Sequence, residues 1–230
     1  MGTVDKQMLV LKNQYERCKR CDLHKSRNRL VFGEPDRGGN ATKYGSDYTE
    51  MAGKVFFIGE APGITEDAKG LPFRGRAGDL FSLIVNHDPV FTSYFVTNVV
   101  LCKPHGKDKP KAIHWTACRE RLLEQIRLID PAVIVCMGNY AMKGLLGSGT
   151  SVIKAREKIH YVEIPGRVSS FIKPVIVTYH PSGVQRKGVL SPGSQFDVMM
   201  QDMQEAKKVA SLWARATKGR TPGEVEPWRH

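Results

Sequence analysis

The sequence predicts an α/β fold: a single domain whose central, mostly parallel sheet of four strands is flanked by helices. Four short apolar runs rich in β-branched residues predict the strands, at residues 54–63, 94–102, 132–138 and 173–182. Their apolar character is continuous and not alternating, which is typical of strands buried on both faces. Helical patterns lie between these runs, and strands that alternate with helices form parallel sheets through right-handed crossovers.

Apolar spacing predicts the helices. Leu80, Leu83 and Ile84 share one face of a helix after the first strand, and a second helix, after the second strand, has Leu122 and Ile126 at helical spacing. The predicted helices cover residues 77–87, 116–130, 139–147 and, as a terminal amphipathic helix, 195–216.

The 230 residues suffice for one sizeable core, so we expect one domain over residues 1–216. Residues 34–53 are rich in Gly, Asn, Asp and Thr without an apolar period, which predicts a long surface loop. Residues 217–230 are expected to form a mobile tail. The sequence gives no sign of an oligomer, so a monomer is expected.

The chain is basic: 35 Lys and Arg against 23 Asp and Glu give a formal net charge of +12. Such a charge favours a polyanionic partner, nucleic acid first, although it also serves solubility alone. The N-terminal residues mix charges with apolar residues and do not resemble a secretory signal, and no run is apolar enough to span a bilayer. We therefore expect a cytosolic protein that does not enter membranes.

Four of the five cysteines fall into two sets, Cys18 with Cys21 as C-x-x-C, and Cys102 with Cys118. In a reducing compartment an odd count argues against disulfides and favours metal binding. Four thiolates suit either zinc or an iron-sulfur cluster, and the spacing alone does not choose between them. Cys136 lies in an apolar run and is expected to be a buried thiol.

Polar or glycine-rich residues follow three predicted strands: residues 59–63, Thr97 with Asn98, and His180 with the Pro-Ser-Gly after it. Carboxyl ends of parallel strands meet at one edge of a sheet, where ligands bind. A histidine there can donate to an oxygen that becomes negative as a base departs. An Asn amide offers one donor and one acceptor, the complement of the O4 and N3-H edge of uracil.

Phe73 lies in a loop of glycines and arginines with little core to enter, so its ring is a candidate for stacking on a base. Arg74 and Arg76 beside it would face phosphates or solvent.

These motifs together resemble one family. GEAPGITEDAKGLPFRGRAG, TNVVLCKP, TACRERL, YHPS and the C-x-x-C pair are similar, in order from about residue 15 to residue 186, to the family 4 uracil-DNA glycosylases, the iron-sulfur branch of that superfamily. The resemblance implies a uracil-DNA glycosylase fold and a DNA repair enzyme that flips a pyrimidine, most simply uracil, and hydrolyses its N-glycosidic bond. It also implies a structural 4Fe-4S cluster on Cys18, Cys21, Cys102 and Cys118 that ties down the N-terminal segment.

The resemblance implies roles for further residues. The catalytic set would be Glu60, Asn98 and His180. Glu66 matches an acidic residue near C5 of the base, and Phe73 matches the stacking ring. The remaining residues implied at the base are Ala61, Gly63 and Ser182; those expected at the DNA backbone or as a wedge in the duplex are Arg74, Arg76, Val184, Gln185 and Arg186. Because position 61 has no carboxylate, departure of the base should be dissociative, aided by His180 and the amides of residues 61–63.

Three features depart from the family pattern. The loop at residues 34–53 is longer, the residues after YHPS are less bulky, and Ile64 and Thr65 stand where acidic residues are usual. These changes leave open a second substrate, a modified pyrimidine such as a hydroxymethylated or glucosylated phage base, with a role in defence. A DNA-binding module without catalysis and a zinc-stabilised nucleotide-binding protein are further alternatives.

Overall fold

The computed structural model describes residues 2–36, 54–86, 94–106, 108–147, 149–166, 169–184 and 193–216, which form a mixed six-stranded sheet and the helices packed on it. The strands are β1 (Glu34–Asp36), β2 (Val55–Gly59), β3 (Tyr94–Asn98), β4 (Val133–Met137), β5 (His160–Ile164) and β6 (Phe171–Thr178). The helices are α1 (Thr3–Glu16), α2 (Ile64–Lys69), α3 (Arg76–Asn86), α4 (Ala112–Ile129), α5 (Asn139–Leu146), α6 (Val152–Ala155), α7 (Pro181–Val184) and α8 (Gln195–Ala216). A 3-10 turn at Asp22–Lys25 follows α1.

The four predicted strands form the parallel centre of the sheet. The strand order is β1-β3-β2-β4-β6-β5, and β3, β2, β4 and β6 are parallel neighbours. The predicted α/β class with a parallel centre is confirmed, but the sheet has six strands where four were expected. The register pairs Gly59 with Asn98, so β2 and β3 end side by side.

The two extra strands lie at the edges, and both are antiparallel to their neighbours. β1 spans only three residues and contains Pro35, which a sheet tolerates at an edge. β5 alternates between exposed and buried residues, so it lacks the continuous apolar run that marked the central strands. The prediction of a surface loop over residues 34–53 was wrong at its start, because the first three residues of that segment form β1 and pair with β3. The other residues of the segment, 37–53, lie outside the described part of the chain.

The sheet separates two apolar clusters. Phe56 and Ile58 of β2 belong to one cluster, which α1, α4 and α5 complete. Val55 and Phe57, which alternate with them, belong to the other, which α3 and α8 complete. Successive residues of a strand point to opposite faces, so this alternation places helices on both sides of the sheet, as the sequence predicts.

The four predicted helices correspond to α3, α4, α5 and α8, and the terminal helix has the expected bounds. α1 was not predicted, although Met8, Leu11 and Tyr15 lie at helical spacing and are buried. α1 packs on α4 and so brings the N-terminal segment to the sheet. The predicted tail at residues 217–230 lies outside the described residues. Among the helices that are described, none is long and apolar enough to cross a membrane.

Candidate active site

A cavity of about 400 Å³ opens at the carboxyl ends of the parallel strands. Its walls come from the segments after β2, β3 and β6 and from the loop before α3, and they include residues 60–66, Phe73, Asn98, Lys109 and His180. This is the crevice expected for a ligand in an open parallel sheet. The structure therefore brings together the polar strand ends that the sequence singled out.

Gly59 allows the two walls of the cavity to approach each other. A Cβ atom at this position would lie 2.4 Å from Oδ1 of Asn98 and 2.6 Å from Cζ of Phe73. Both distances are far shorter than real contacts, so only glycine leaves room for the amide and the ring. The last residue of β2 thus sets the spacing between Asn98 and Phe73.

Asn98 is the last residue of β3 and is only 3% exposed. The backbone carbonyl oxygen of Asn98 accepts a hydrogen bond from Nη2 of Arg121 at 2.9 Å. In the described part of the chain, no hydrogen bond engages the Asn98 side-chain amide. The amide lines the cavity with both its donor and its acceptor available to a ligand.

Phe73 adopts a left-handed backbone conformation, with φ of +53°. A non-glycine residue in that region is uncommon and costs of order 1 kcal/mol or more, so the surrounding structure must impose it. The ring packs on Phe81 with centroids 5.0 Å apart, and its centroid lies 6.3 Å from that of the His180 ring. Phe73 is half-buried and lines the cavity, as a stacking platform would.

The Glu66 carboxylate fixes the loop that carries Phe73. One carboxylate oxygen accepts the backbone N–H groups of Arg74 at 2.8 Å and Gly75 at 2.7 Å, and the other accepts that of Gly63 at 3.0 Å. Glu66 is buried, and hydrogen bonds to an ionised acceptor are the stronger kind. It therefore joins the residues after β2 to the Phe73 loop, a function that sequence reasoning did not assign.

His180 follows β6 and is held by Ser182. The Ser182 backbone N–H donates to Nδ1 of His180 at 3.2 Å, and the Ser182 hydroxyl lies 2.8 Å from the same nitrogen. A backbone N–H can only donate, so Nδ1 acts as an acceptor and the proton of a neutral ring resides on Nε2. His180 lines the cavity in the tautomer that can donate from Nε2.

Glu60 forms an ion pair with Lys109, whose Nζ lies 2.9 Å from Oε1 of the carboxylate. Both residues line the cavity, and the Lys109 ammonium also lies over the Tyr140 ring, 5.8 Å from its centroid. Lys109 was not predicted as a site residue. The sequence could have indicated a basic segment at the site, because four of the nine residues from 103 to 111 are Lys and they follow the end of a strand.

The residues predicted to contact DNA differ in their surroundings. Arg74 forms an ion pair with Glu34 of β1, whereas Arg76 is exposed at the rim of the cavity. Val184 is fully buried in the apolar cluster that contains α3 and α8, whereas the predicted wedge would need an exposed side chain. Gln185 and Arg186 lie outside the described residues.

The four cysteines of the predicted metal site line one small cavity between the segment after α1, the segment after β3 and α4. Cys102 and Cys118 are buried, and Cys18 and Cys21 are half-buried. Burial raises the pKa of Cys102 to about 11 and also raises that of Cys21, so a ligand would have to displace protons from these thiols. Cys136 lies apart, fully buried in the core of β4, as expected.

Two arginines place positive charge beside these cysteines. Nη1 of Arg27 donates to Sγ of Cys102 at 3.2 Å. Arg121 is fully buried near Cys118, and its Nε is a buried donor without a hydrogen-bond partner among the described residues. Positive charge gathered around four thiols suits a group that is negative once the thiols have lost their protons, and the residues therefore fit the implied cluster.

The described residues contain no group of three or more His, Cys, Asp or Glu arranged to hold a single metal ion. A single zinc ion would require four sulfur atoms at about 2.3 Å from one point. The four thiols that line one cavity are the donor set of a zinc ion or of an iron-sulfur cluster.

Comparison with known proteins was consistent with this geometry. Residues 46–204 match the family model of the uracil DNA glycosylase superfamily. The chain is similar to a protein of Pyrobaculum aerophilum named type-4 uracil-DNA glycosylase, with 33% identity over 80% of this chain and 87% of the relative. Proteins of the same name from Thermotoga maritima and Archaeoglobus fulgidus are 29% and 31% identical; the matches cover 90% and 73% of this chain and 96% and 77% of the relatives.

Proposed function

The chain belongs to the uracil-DNA glycosylase superfamily, and from this premise we propose that it is a uracil-DNA glycosylase. It hydrolyses the bond between uracil and deoxyribose in DNA and leaves an abasic site, the first step of base excision repair. DNA is its partner, in keeping with the net charge of +12. The monomeric state and the cytosolic location remain predictions from the sequence.

One observation carries this proposal: Phe73, Asn98 and His180 come from three separate segments and line the same cavity. A ring, an amide and an imidazole are the groups needed to stack on a pyrimidine, to read its edge and to stabilise its departure. A simple DNA-binding module would need none of them in one place. Their convergence supports an enzyme that acts on a flipped base.

Substrate selection is assigned to Asn98 and Phe73. The flipped base enters the cavity and stacks on Phe73, while the Asn98 amide pairs with the O4 and N3-H groups of uracil. Cytosine presents the reverse order of donor and acceptor, so a fixed amide discriminates against it. Gly59 keeps the amide and the ring at the spacing that the base requires.

Bond cleavage is assigned to His180 and the backbone after β2. As the glycosidic bond lengthens, negative charge develops on O2 of the base, and the Nε2–H of His180 together with the backbone N–H of Ala61 stabilises that charge. Of the other two residues expected to assist, Pro62 has no N–H and the Gly63 N–H donates to Glu66. Ala61 provides no carboxylate, so the base leaves before water adds, with an oxocarbenium-like sugar between the two steps. The Glu60 carboxylate, held by Lys109, steadies that cation or positions the water.

The four cysteines lining the second cavity are assigned as ligands of a 4Fe-4S cluster: Cys18, Cys21, Cys102 and Cys118. When bound, the cluster would supply structural stability by joining the segment after α1 to β3 and α4, and none of the catalytic steps requires it. Arg27 and Arg121 provide positive charge beside it.

The test is base release from matched oligonucleotides that carry uracil, thymine, cytosine, 5-hydroxymethylcytosine or its glucosylated form at one position. Free base is measured directly, and abasic sites are measured by alkali-sensitive strand breakage. We expect uracil alone to be released. Release of a modified base with uracil spared would move the function to surveillance of modified DNA, and no release from any substrate would leave only DNA binding.

A further inference from the structure

Arg121 is the largest fully buried side chain among the described residues and lies in the middle of α4. A guanidinium remains charged in proteins, and removing it from water is costly unless its charge is balanced and its donors are satisfied. Among the described residues, no carboxylate forms an ion pair with Arg121. Such a charge requires a counter-charge of another kind.

One side of the guanidinium holds the end of β3. Nη2 donates to the carbonyl oxygens of Asn98 at 2.9 Å and Val99 at 3.2 Å. Nη1 donates to Oε1 of Gln125 at 2.6 Å and to Oγ1 of Thr97 at 3.3 Å. All these acceptors are neutral, and together they fix the backbone on which the base-reading amide is mounted.

The other side of the guanidinium faces the cysteines. Cys118 lies three residues before Arg121 on α4, a spacing that places two side chains on the same face of a helix. Cys118 and Cys102 lie close enough to Arg121 for a charge on their thiolates to act on the guanidinium. The buried Nε lacks a hydrogen-bond partner within the described residues, so one donor remains for an acceptor at this site.

Building on the proposed function, we infer that Arg121 is a positioning residue that links the cluster site to the active site. Its charge balances the negative charge of the cluster and its thiolates, and its paired Nη donors hold the Asn98 backbone at the edge of the cavity. The link is short, since Cys102 follows Asn98 by four residues and Cys118 precedes Arg121 by three. Charge and geometry are therefore two separable functions of one side chain.

Three variants of the cluster-containing protein separate these functions. Arg121→Gln removes the charge, and Arg121→Lys keeps the charge but loses the planar pair of donors. Arg119→Met is the matched control, because Arg119 lies on the same helix and donates to the carbonyl oxygens of Gly144 and Leu145, at 2.8 and 2.7 Å, on α5 instead of β3. The measurements are the reduction potential of the cluster, the rate of loss of its visible absorbance with an iron chelator, and the kcat and KM for uracil release.

We expect Arg121→Gln to make the reduction potential more negative and to speed cluster loss, because a positive charge beside an anionic group favours its reduced state. Arg121→Lys should leave the potential near that of the wild type and lower kcat roughly tenfold with little change in KM, since a shifted amide misplaces the base. Arg119→Met should change neither the potential nor the ratio of kcat to KM.

An unchanged potential and chelation rate in Arg121→Gln would refute the counter-charge, and wild-type kcat in Arg121→Lys would refute the positioning of Asn98. If Arg121→Gln does not fold, Arg121→Lys decides the positioning alone, and a more negative potential in that charge-retaining variant would overturn the charge assignment. If the wild type shows a normal cluster but releases no uracil, the proposed function fails while the electrostatic measurements still test Arg121.

Discussion

Ser182 holds His180 with two of its own groups: the backbone N–H donates to Nδ1 at 3.2 Å, and the hydroxyl lies 2.8 Å from the same nitrogen. The residue that follows His180 by two positions thus sets both the orientation of the ring and the nitrogen that carries the proton. Because Nδ1 is an acceptor, the ring is a neutral donor through Nε2, the state needed to stabilise a departing pyrimidine anion.

His180→Ala should lower kcat for uracil release by about 10² to 10³, the usual cost of losing one donor to a developing negative charge. Binding to uracil-containing DNA should change little, because phosphate contacts supply most of that affinity. Single-turnover base release and a binding titration measure the two effects separately. Normal turnover in this variant would remove His180 from the mechanism.

Ser182→Ala is the graded counterpart of that variant. It removes the hydroxyl but keeps the backbone N–H on Nδ1, so the favoured tautomer survives. We expect kcat to fall by no more than about tenfold, as for the loss of one neutral hydrogen bond. A loss as large as that of His180→Ala would mean that the hydroxyl itself acts on the substrate.

Gly59→Ala should impair catalysis through Asn98 and Phe73, neither of which is changed. The added Cβ would lie 2.4 Å from Oδ1 of Asn98 and 2.6 Å from Cζ of Phe73, so one or both must move. We expect kcat/KM to fall by about 10², the scale of a misplacement near 1 Å. The free energy of unfolding should fall by roughly 1–3 kcal/mol, as in other overpacked sites.

Gly183→Ala is the matched control, because the one described atom that a Cβ there would meet is Oε1 of Gln195, at an ordinary distance of 3.8 Å. It adds the same methyl group one residue after Ser182, which lines the cavity, without a clash. Steady-state kinetics and thermal unfolding compare kcat/KM and stability in the two variants. Equal activity in the two would contradict the role of Gly59 in spacing the walls of the site.

The central sheet could be predicted because β2, β3, β4 and β6 are buried on both faces and so carry continuous apolar runs. The edge strands could not. β1 is too short to show a period and contains Pro35, and its pairing with β3 depends on a contact between segments about sixty residues apart. The residues of β1 do not indicate which strand it pairs with, whereas burial on both faces is visible in the apolar residues of the central strands.

The sequence predicted those site residues whose side-chain type and position indicate their chemistry. Asn98, Phe73 and His180 stand at strand ends or in a glycine-rich loop, and the structure places them around one cavity. The three amides that bind the Glu66 carboxylate and the charge environment of Arg121 arise only when separate segments meet, so sequence spacing does not show them. Val184 shows that a position near the site does not by itself give a residue a role there, because its apolar side chain faces the core and not the cavity.

Lys109→Met should lower kcat/KM for uracil release by about fivefold, because the Glu60 carboxylate loses the ammonium that holds it at 2.9 Å. Lys109 is 56% exposed, so the melting temperature should hardly change, as for other surface ion pairs. Lys109→Arg should restore most of the activity, since it also provides a cation within reach of Glu60.

The comparison for this variant is Lys111→Met, which removes an equal charge from the same loop at the residue that precedes α4. If Lys109 acted only by attracting DNA, both variants would raise KM alike and a higher salt concentration would erase the difference between them and the wild type. We expect instead that only Lys109→Met lowers kcat.

Cys18→Ala should abolish or strongly reduce the cluster, seen as loss of visible absorbance and of iron and sulfide in elemental analysis. The protein should melt roughly 10 °C lower, because the segment after α1 loses its bond to β3 and α4. Cys136→Ala is the matched control: its thiol is fully buried in β4, away from the cysteine-lined cavity, so it should keep full iron content and lose only about 1 kcal/mol of stability. Zinc in place of iron in anaerobically purified wild type would overturn the cluster, and full iron content in Cys18→Ala would remove Cys18 from the ligand set.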